Sequence, residues 1–290
     1  VKYSFITQYK NTFPIRLMCQ VLGVSRNGYY NYLRSQKNPN PKHDEMLYWV
    51  KRIAKDTDYT YGSRRIKHAL NVLSFPVSRQ KARRLMKEAG VKVLQRKKYK
   101  VTTNSNHKMP VYENLLDRQF NVNEANAVYA SDITYLWTQE GWLYLAVVLD
   151  LYSRKVVGWS MSNRMNATLV CDALTMAIWN RRPGPGLICH SDRGSQYASK
   201  KYRRLLKQNG FKGSMSKKGD CWDNSVVESF FGSMKQERVQ WKSYQTRREA
   251  HQDVLQYLTM FYNETRLHSY LGYRSPNEFE RQEGNLRKTA

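Results

Sequence analysis

The sequence predicts an α/β protein whose mixed sheet follows the order βββαβαβα, with basic helical pairs placed ahead of it. Three observations carry that prediction. Aromatic and β-branched runs with a tight turn between them begin at Ala127; helical and short apolar stretches alternate after residue 166; and capped, Lys/Arg-rich helical patterns occupy the first hundred residues.

Residues 14 to 34, "PIRLMCQVLGVSRNGYYNYLR", read as a helix, a turn at Gly23, a Ser25 N-cap and a second helix carrying Arg26, Asn27 and Tyr29. After Asn38, Pro39, Asn40 and Pro41 a new helix is expected near Asp44. A second pair follows at 61 to 93: a helix from Arg64 to Val72, an interruption at Pro76, a Ser78 cap and a helix ending at Gly90. The polar stretch 101 to 110 has the composition of a linker.

From Ala127, "AVYASDITYLW", "WLYLAVVLDLYS" and "KVVGWSMS" give three hairpin-linked strands, the first turn being "QEG". A helix from Ala167 to Asn180, the breaker "RRPGPG" and a short strand "LICHS" ending at Asp192 come next. A basic helix from Ser199 to Asn209, a strand "FKGSMS", a loop and a helix from about Ser225 to Val239 complete the order. The division expected is 1–45 and 46–110 as two helical regions, 111–245 as the sheet-containing core, and 246–290 as a helical tail.

Charge narrows the function. There are 49 Lys+Arg against 23 Asp+Glu, a net +26, and residues 1–120 hold 25 basic and 7 acidic side chains against 24 and 16 in the rest. A basic chain gains affinity for nucleic acid by displacing its counterions, and here that affinity is loaded at the front, where "QRKKYK" at 95–100 is the densest cluster. No apolar run approaches the roughly 20 residues that span a bilayer. Cys19, Cys171, Cys189 and Cys221 are scattered without a C-x-x-C pair, which reads as reduced core thiols, not a zinc site or disulfide frame. The chain opens on Val1, not Met, as the downstream part of a longer protein would.

Three acids occupy telling places: Asp132 within the first strand, Asp192 at the end of the fourth, and Glu228 in the first turn of the helix after the fifth. In an α/β sheet, binding groups collect beyond the carboxyl ends of adjacent strands, so these side chains are expected to meet. Magnesium takes one or two carboxylates per ion and keeps positions open for phosphate oxygens, and two ions would stabilise both oxygens of an in-line phosphoryl displacement. Glu228 also fits a capping box with Ser225, a purely structural alternative. Asp150 is a rival acid that could face the same pocket, with pairing to Arg154 as its blander explanation; His190 is expected to pack, and Trp222 either stacks on a displaced base or anchors its loop.

"SDITY", "HSDRGSQY" and "DNSVVESFFGSMKQE" resemble the signature blocks of the D,D(35)E catalytic domain shared by IS3-family insertion-sequence transposases and retroviral-type integrases, and 35 residues do lie between Asp192 and Glu228. "YGSRRI", "LDLYSRKVVGW" and "YNETRLHSYLGYRSPNEF" extend the resemblance from about residue 15 to 280. It implies an RNase H-like catalytic core behind helix-turn-helix-type DNA-binding regions. It further implies Asp132, Asp192 and Glu228 as catalytic metal ligands, two Mg²⁺ ions (Mn²⁺ substituting), cleavage at element ends and strand transfer of a 3′ hydroxyl, and a downstream reading frame fused to or working with an upstream DNA-binding segment. A nuclease without strand transfer and a non-catalytic DNA-binding regulator are the alternatives. The expected partner is double-stranded DNA, element ends and target alike, bound by a homo-oligomer in the bacterial cytoplasm. Its expected contacts are Asn224 and Lys235 on the helix of Glu228, Lys217 and Lys218 in the loop before it, and Arg26, Arg64, Arg79, Arg83, Arg84, Arg96, Lys97 and Lys98 in the front half.

Overall fold

A computed structural model of the chain describes residues 1–37, 40–94, 110–217 and 221–289. Arg96, Lys97, Lys98 and Lys218, the 95–100 cluster, nearly all of the expected linker and the side chain of Trp222 lie outside the described residues. Two compact units result, Val1–Val93 and Leu94–Ala290.

The first unit is helical. Helix α1 (Lys2–Tyr9) precedes α2 (Ile15–Val21) and α3 (Arg26–Lys37), and Ile6, Met18, Cys19 and Tyr29 form their shared core. Gly23 turns the chain between α2 and α3 at φ +63°, a left-handed conformation that suits glycine, and the Ser25 hydroxyl accepts the Gly28 amide at 2.9 Å. Helix α4 (Pro41–Asp56) is capped by Asn40, α5 (Ser63–Val72) follows, and α6 (Arg79–Glu88) is capped by Ser78, whose oxygen accepts the Lys81 amide at 3.2 Å. These three bury Met46, Val50, Ile66, Leu70, Ala82 and Leu85 at helical spacing, which leaves the Lys and Arg side chains outward.

The second unit is built on a five-stranded sheet of order β3-β2-β1-β4-β5. Strands β1 (Val128–Thr138), β2 (Gly141–Asp150) and β3 (Val156–Ser162) form an antiparallel meander, and β4 (Ile188–Ser191) and β5 (Lys212–Met215) lie parallel to β1. Helices α7 (Ala167–Arg181) and α8 (Lys200–Gln208) cover one face through Leu174, Ala177, Tyr202 and Leu206. Gly158 on β3 lets α7 approach, because a Cβ there would lie 2.2 Å from the Ala173 carbonyl oxygen. The other face packs on α9 (Ser225–Glu237) and α10 (Arg247–Gln256), with Val227, Phe230, Met234, Val254 and Leu258 against Leu145, Val147 and Leu149. A π-helical turn (Tyr257–Tyr262) and α11 (Pro276–Thr289) end the chain, so the tail contributes to the core of the sheet. The element order is the expected βββαβαβα, an RNase H-like mixed sheet behind a helical region.

Candidate active site

Strand β4 is only four residues long, and its pairing with β1 ends at Ser131 opposite Ser191. One residue further along each parallel strand stand Asp132 and Asp192, so the register itself sets the two carboxylates side by side. Asp132 is half-buried, opposite Val147 of β2, and its Oδ1 accepts the following Ile133 amide at 2.7 Å. At the end of β4, Asp192 Oδ1 accepts the Gly194 amide at 2.9 Å, a turn that holds the carboxylate at the sheet's end. Burial, then the neighbouring Asp192 charge, push the Asp132 carboxyl well above its ordinary value, with Glu228 adding to the rise.

Glu228 lies exposed in the first turn of α9, whose buried side is fixed by Val227, Phe230 and Phe231. Its carboxyl is also raised, by the partial desolvation of its side chain and then by Asp192, which puts the three acids within one field. The helix start carries no side-chain cap hydrogen bond, so the capping box is not what holds Glu228. Half-buried Lys235, two turns along α9, has its ammonium pushed down by burial and favoured by Asp132, and it stands 5.1 Å from the Tyr135 ring centre. Asn224 is buried, its amide nitrogen 3.5 Å from the Ser131 carbonyl, so it ties the start of α9 to β1 instead of facing outward.

Asp132 and Asp192 form one side of a cavity of about 520 Å³, whose other lining includes Tyr135, Trp142, Tyr144 and Gln196. Among the described residues no three His, Cys, Asp or Glu side chains gather tightly enough to hold a metal ion. The aspartate pair nevertheless suits a hard cation. It presents carboxylate oxygens only, and the upward pKa shift reflects burial first and then two like charges, a repulsion that a divalent ion would neutralise.

Asp150 does not join this site. Because β2 runs antiparallel to β1, its last residue is level with Tyr129, three residues back from Asp132 along β1. It is fully buried, accepts the Asn126 and Tyr152 amides at 2.9 and 3.0 Å, and pairs with Arg181 at 3.3 Å; Arg154, the partner expected from the sequence, instead donates to the Phe120 carbonyl at 3.0 Å. His190 packs as expected, its Nδ1 2.9 Å from Ser214 Oγ, with burial pulling its pKa down to about 4.

Lys217 is exposed, its ammonium 3.2 Å from Asp117 and its amide donating to Asp223 at 2.8 Å. Asp223, which sequence reasoning passed over, is buried and also takes Asn114 at 2.9 Å and Arg118 at 3.0 Å, so it clamps the start of α9. In the first unit, Arg26 opens α3, Arg64 lies on α5, and Arg79, Arg83 and Arg84 lie on α6, all exposed; the last three line a groove of about 1160 Å³ with Lys81 and Lys87. The aromatic wall of the cavity was also missed, although its signal is visible: aromatic residues at alternate positions on both arms of "YLWTQEGWLY".

Family models described as an integrase core domain match residues 122–221 and 209–276, and one described as an HTH-like domain matches 42–99, the span of α4 to α6. The chain is 44% identical over 263 residues to the "Insertion element IS600 uncharacterized 31 kDa protein" of Shigella sonnei, covering 90% of this chain and 97% of that one. It is 39% identical over 285 residues to "Transposase InsF for insertion sequence IS3A" of Escherichia coli (strain K12), covering 97% and 98%. Among solved structures, the HTLV-2 integrase catalytic core domain in complex with magnesium aligns at 15% identity and TM-score 0.42, over 53% of this chain and 95% of that one.

Proposed function

We propose a mechanism for this chain from the premise that it belongs to the IS3-type family of insertion-sequence transposases, with an integrase core and an HTH-like region ahead of it. Its reaction class is polynucleotidyl transfer in DNA transposition. The observation that carries the residue-level reading is the juxtaposition of Asp132 and Asp192, one residue past the last pair between parallel β1 and β4, with Glu228 in the same field.

Asp132, Asp192 and Glu228 would hold Mg²⁺, or Mn²⁺ in its place. A pair of such ions supplies a nucleophile at neutral pH and neutralises charge on the transferring phosphoryl group. The rest falls to the chain. In the first step a water oxygen bonds to phosphorus at an element end and the bond to the 3′ oxygen breaks, freeing a 3′ hydroxyl. In the second, that hydroxyl oxygen bonds to a target phosphorus and displaces another 3′ oxygen, so one site serves both exchanges. Lys235, held half-buried beside Asp132, draws the phosphate toward the acids. Asn224 positions α9, and with it Glu228, against β1. Lys217 and Lys218 would contact DNA phosphate, while Arg26, Arg64, Arg79, Arg83, Arg84, Arg96, Lys97 and Lys98 would grip the duplex backbone, a sequence-independent contact that salt weakens.

The same proposal includes a homo-oligomer that brings two element ends together, an upstream-frame partner segment, action in the cytoplasm, and the division 1–45, 46–110, 111–245 and 246–290. No helix among the described residues is long and apolar enough to cross a membrane.

Labelled element-end DNA incubated with Mg²⁺ and the full chain tests the reading. Wild type is expected to give cleaved and joined strands, and Asp132→Asn, Asp192→Asn and Glu228→Gln each to lose about a thousandfold or more in rate while still binding DNA, the scale of removing a catalytic group. Cleavage without joining would turn the assignment to a nuclease, and binding without either to a regulator.

A further inference from the structure

Beyond Ser131, strand β1 continues to Thr138 with β2 as its partner, while its pairing with β4 has ended. The cross-strand pairs Tyr135 with Tyr144 and Trp137 with Trp142 set four rings on one face of this ribbon. Tyr135 is 36% exposed, Trp142 42% and Trp137 56%; Trp142 meets Tyr135 edge-on at 5.0 Å and Trp137 at 4.8 Å. Rings of that size normally repay burial, so a face left open at the mouth of a cavity points to an occupant.

The cavity selects the occupant. Its volume, about 520 Å³, is in the range that takes a small planar molecule, and Asp132 and Asp192 lie in the same lining as Tyr135 and Trp142. A phosphodiester positioned at those acids has a nucleobase attached on the next sugar, within reach of the wall. Phosphate gains nothing from an apolar ring, whereas every base has a π face that stacks on one. Gln196 on the lining offers an amide for the base edge, and Lys235, 5.1 Å from the Tyr135 ring centre, adds positive charge beside the aromatic wall. A second copy of this chain would have to fill a concave site containing carboxylates.

We infer that this cavity receives one unpaired nucleobase of the reacting DNA strand, stacked on Trp142 and Tyr135 and buttressed by Trp137, and so positions the adjoining phosphodiester. Opening a base pair beside the reacting bond costs energy that the stack returns. The inference rests on the transposase reading for the identity of the phosphodiester, but not for the occupancy of the cavity.

The experiment is a cycle on the full chain that crosses Trp142→Ala with removal of the base next to the reacting bond, read as the rate of strand joining. Each change alone is expected to slow joining about tenfold, the scale of one base-aromatic stack, and the two together no further. An end left unpaired by an abasic site in the opposite strand is expected to restore much of the rate to Trp142→Ala, and Trp142→Phe to stay within about threefold of wild type, the aromatic face being kept. Independent multiplication of the two losses overturns the inference, as does a Trp142→Ala protein that joins at the wild-type rate. Titration of tryptophan fluorescence with a single-stranded oligonucleotide, with and without that base, separates this from the reading beneath it. If wild type joins nothing yet the base-bearing strand quenches a signal that Trp142→Phe lacks, the transposase reading fails and the base site stands; if the two strands quench alike, the base site fails. A change in light-scattering mass on Trp142→Ala, without base dependence, would assign the wall to a second copy and overturn the inference.

Discussion

Asp132 carries a cost that the fold accepts for the sake of the site. Burial and the adjacent Asp192 raise its pKa in the folded state, so the folded chain takes up that proton more readily than the unfolded one. The sign follows by linkage: the penalty is fully present above the raised folded value and disappears as pH falls below the ordinary value of 3.8. In chelator at pH 7, Asp132→Asn is therefore expected to melt higher than wild type by about 2–4 °C, the shift that one kcal/mol gives in a unit of this size, with the difference shrinking toward pH 4. Thermal melts across that range check it. The same substitution is expected to lose joining, so stability and activity should move in opposite directions at one residue.

Among the elements, α9 is the one on which the site turns, and it is held at both ends by buried carboxylates, Asp223 and Glu237. Asp223 clamps its start through Lys217, Asn114 and Arg118; near its end Glu237 meets Arg266 at 2.7 Å and accepts the Tyr257 hydroxyl at 2.8 Å, with both charged partners buried. Arg266→Met leaves the Glu237 charge without its cation and is expected to cost about 3–5 kcal/mol, measured as a lowered urea midpoint at unchanged slope. Asp223→Ala is expected to cost about 1–3 kcal/mol and to lower joining as well, because the clamp sets where Glu228 stands. Much of this architecture was legible beforehand. The caps at Ser25 and Ser78, the turn at Gly23 and the β order rest on local chemistry, and local chemistry is written in neighbouring letters. Asp132 could be placed within the first strand and Asp192 at the end of the fourth for the same reason. What could not be read was long-range pairing: Asp150 chose Arg181, 31 positions away, over nearby Arg154, and the tail's place in the sheet's core depends on contacts that no periodicity encodes. Helix α1 escaped because it buries Ile6 alone and has no side-chain cap.

At the scale of the whole chain, positive charge is concentrated in the unit that contains α5 and α6, away in sequence from the acids. If Arg79, Arg83 and Arg84 neutralise phosphates, replacing all three by Gln should reduce the slope of log affinity against log salt by about 3, at roughly 0.9 for each phosphate left without its cation. Filter binding over a salt series measures it, and joining at saturating DNA should persist. The side-by-side aspartates just past the point where β1 and β4 stop pairing have a temporal consequence. Two unneutralised carboxylates repel any phosphate brought toward them, whereas the basic helices need no metal to hold a duplex. Loading and reaction can thus be separated in time: a complex assembled in chelator should wait, fully formed, and a pulse of cation should start every molecule from the same instant.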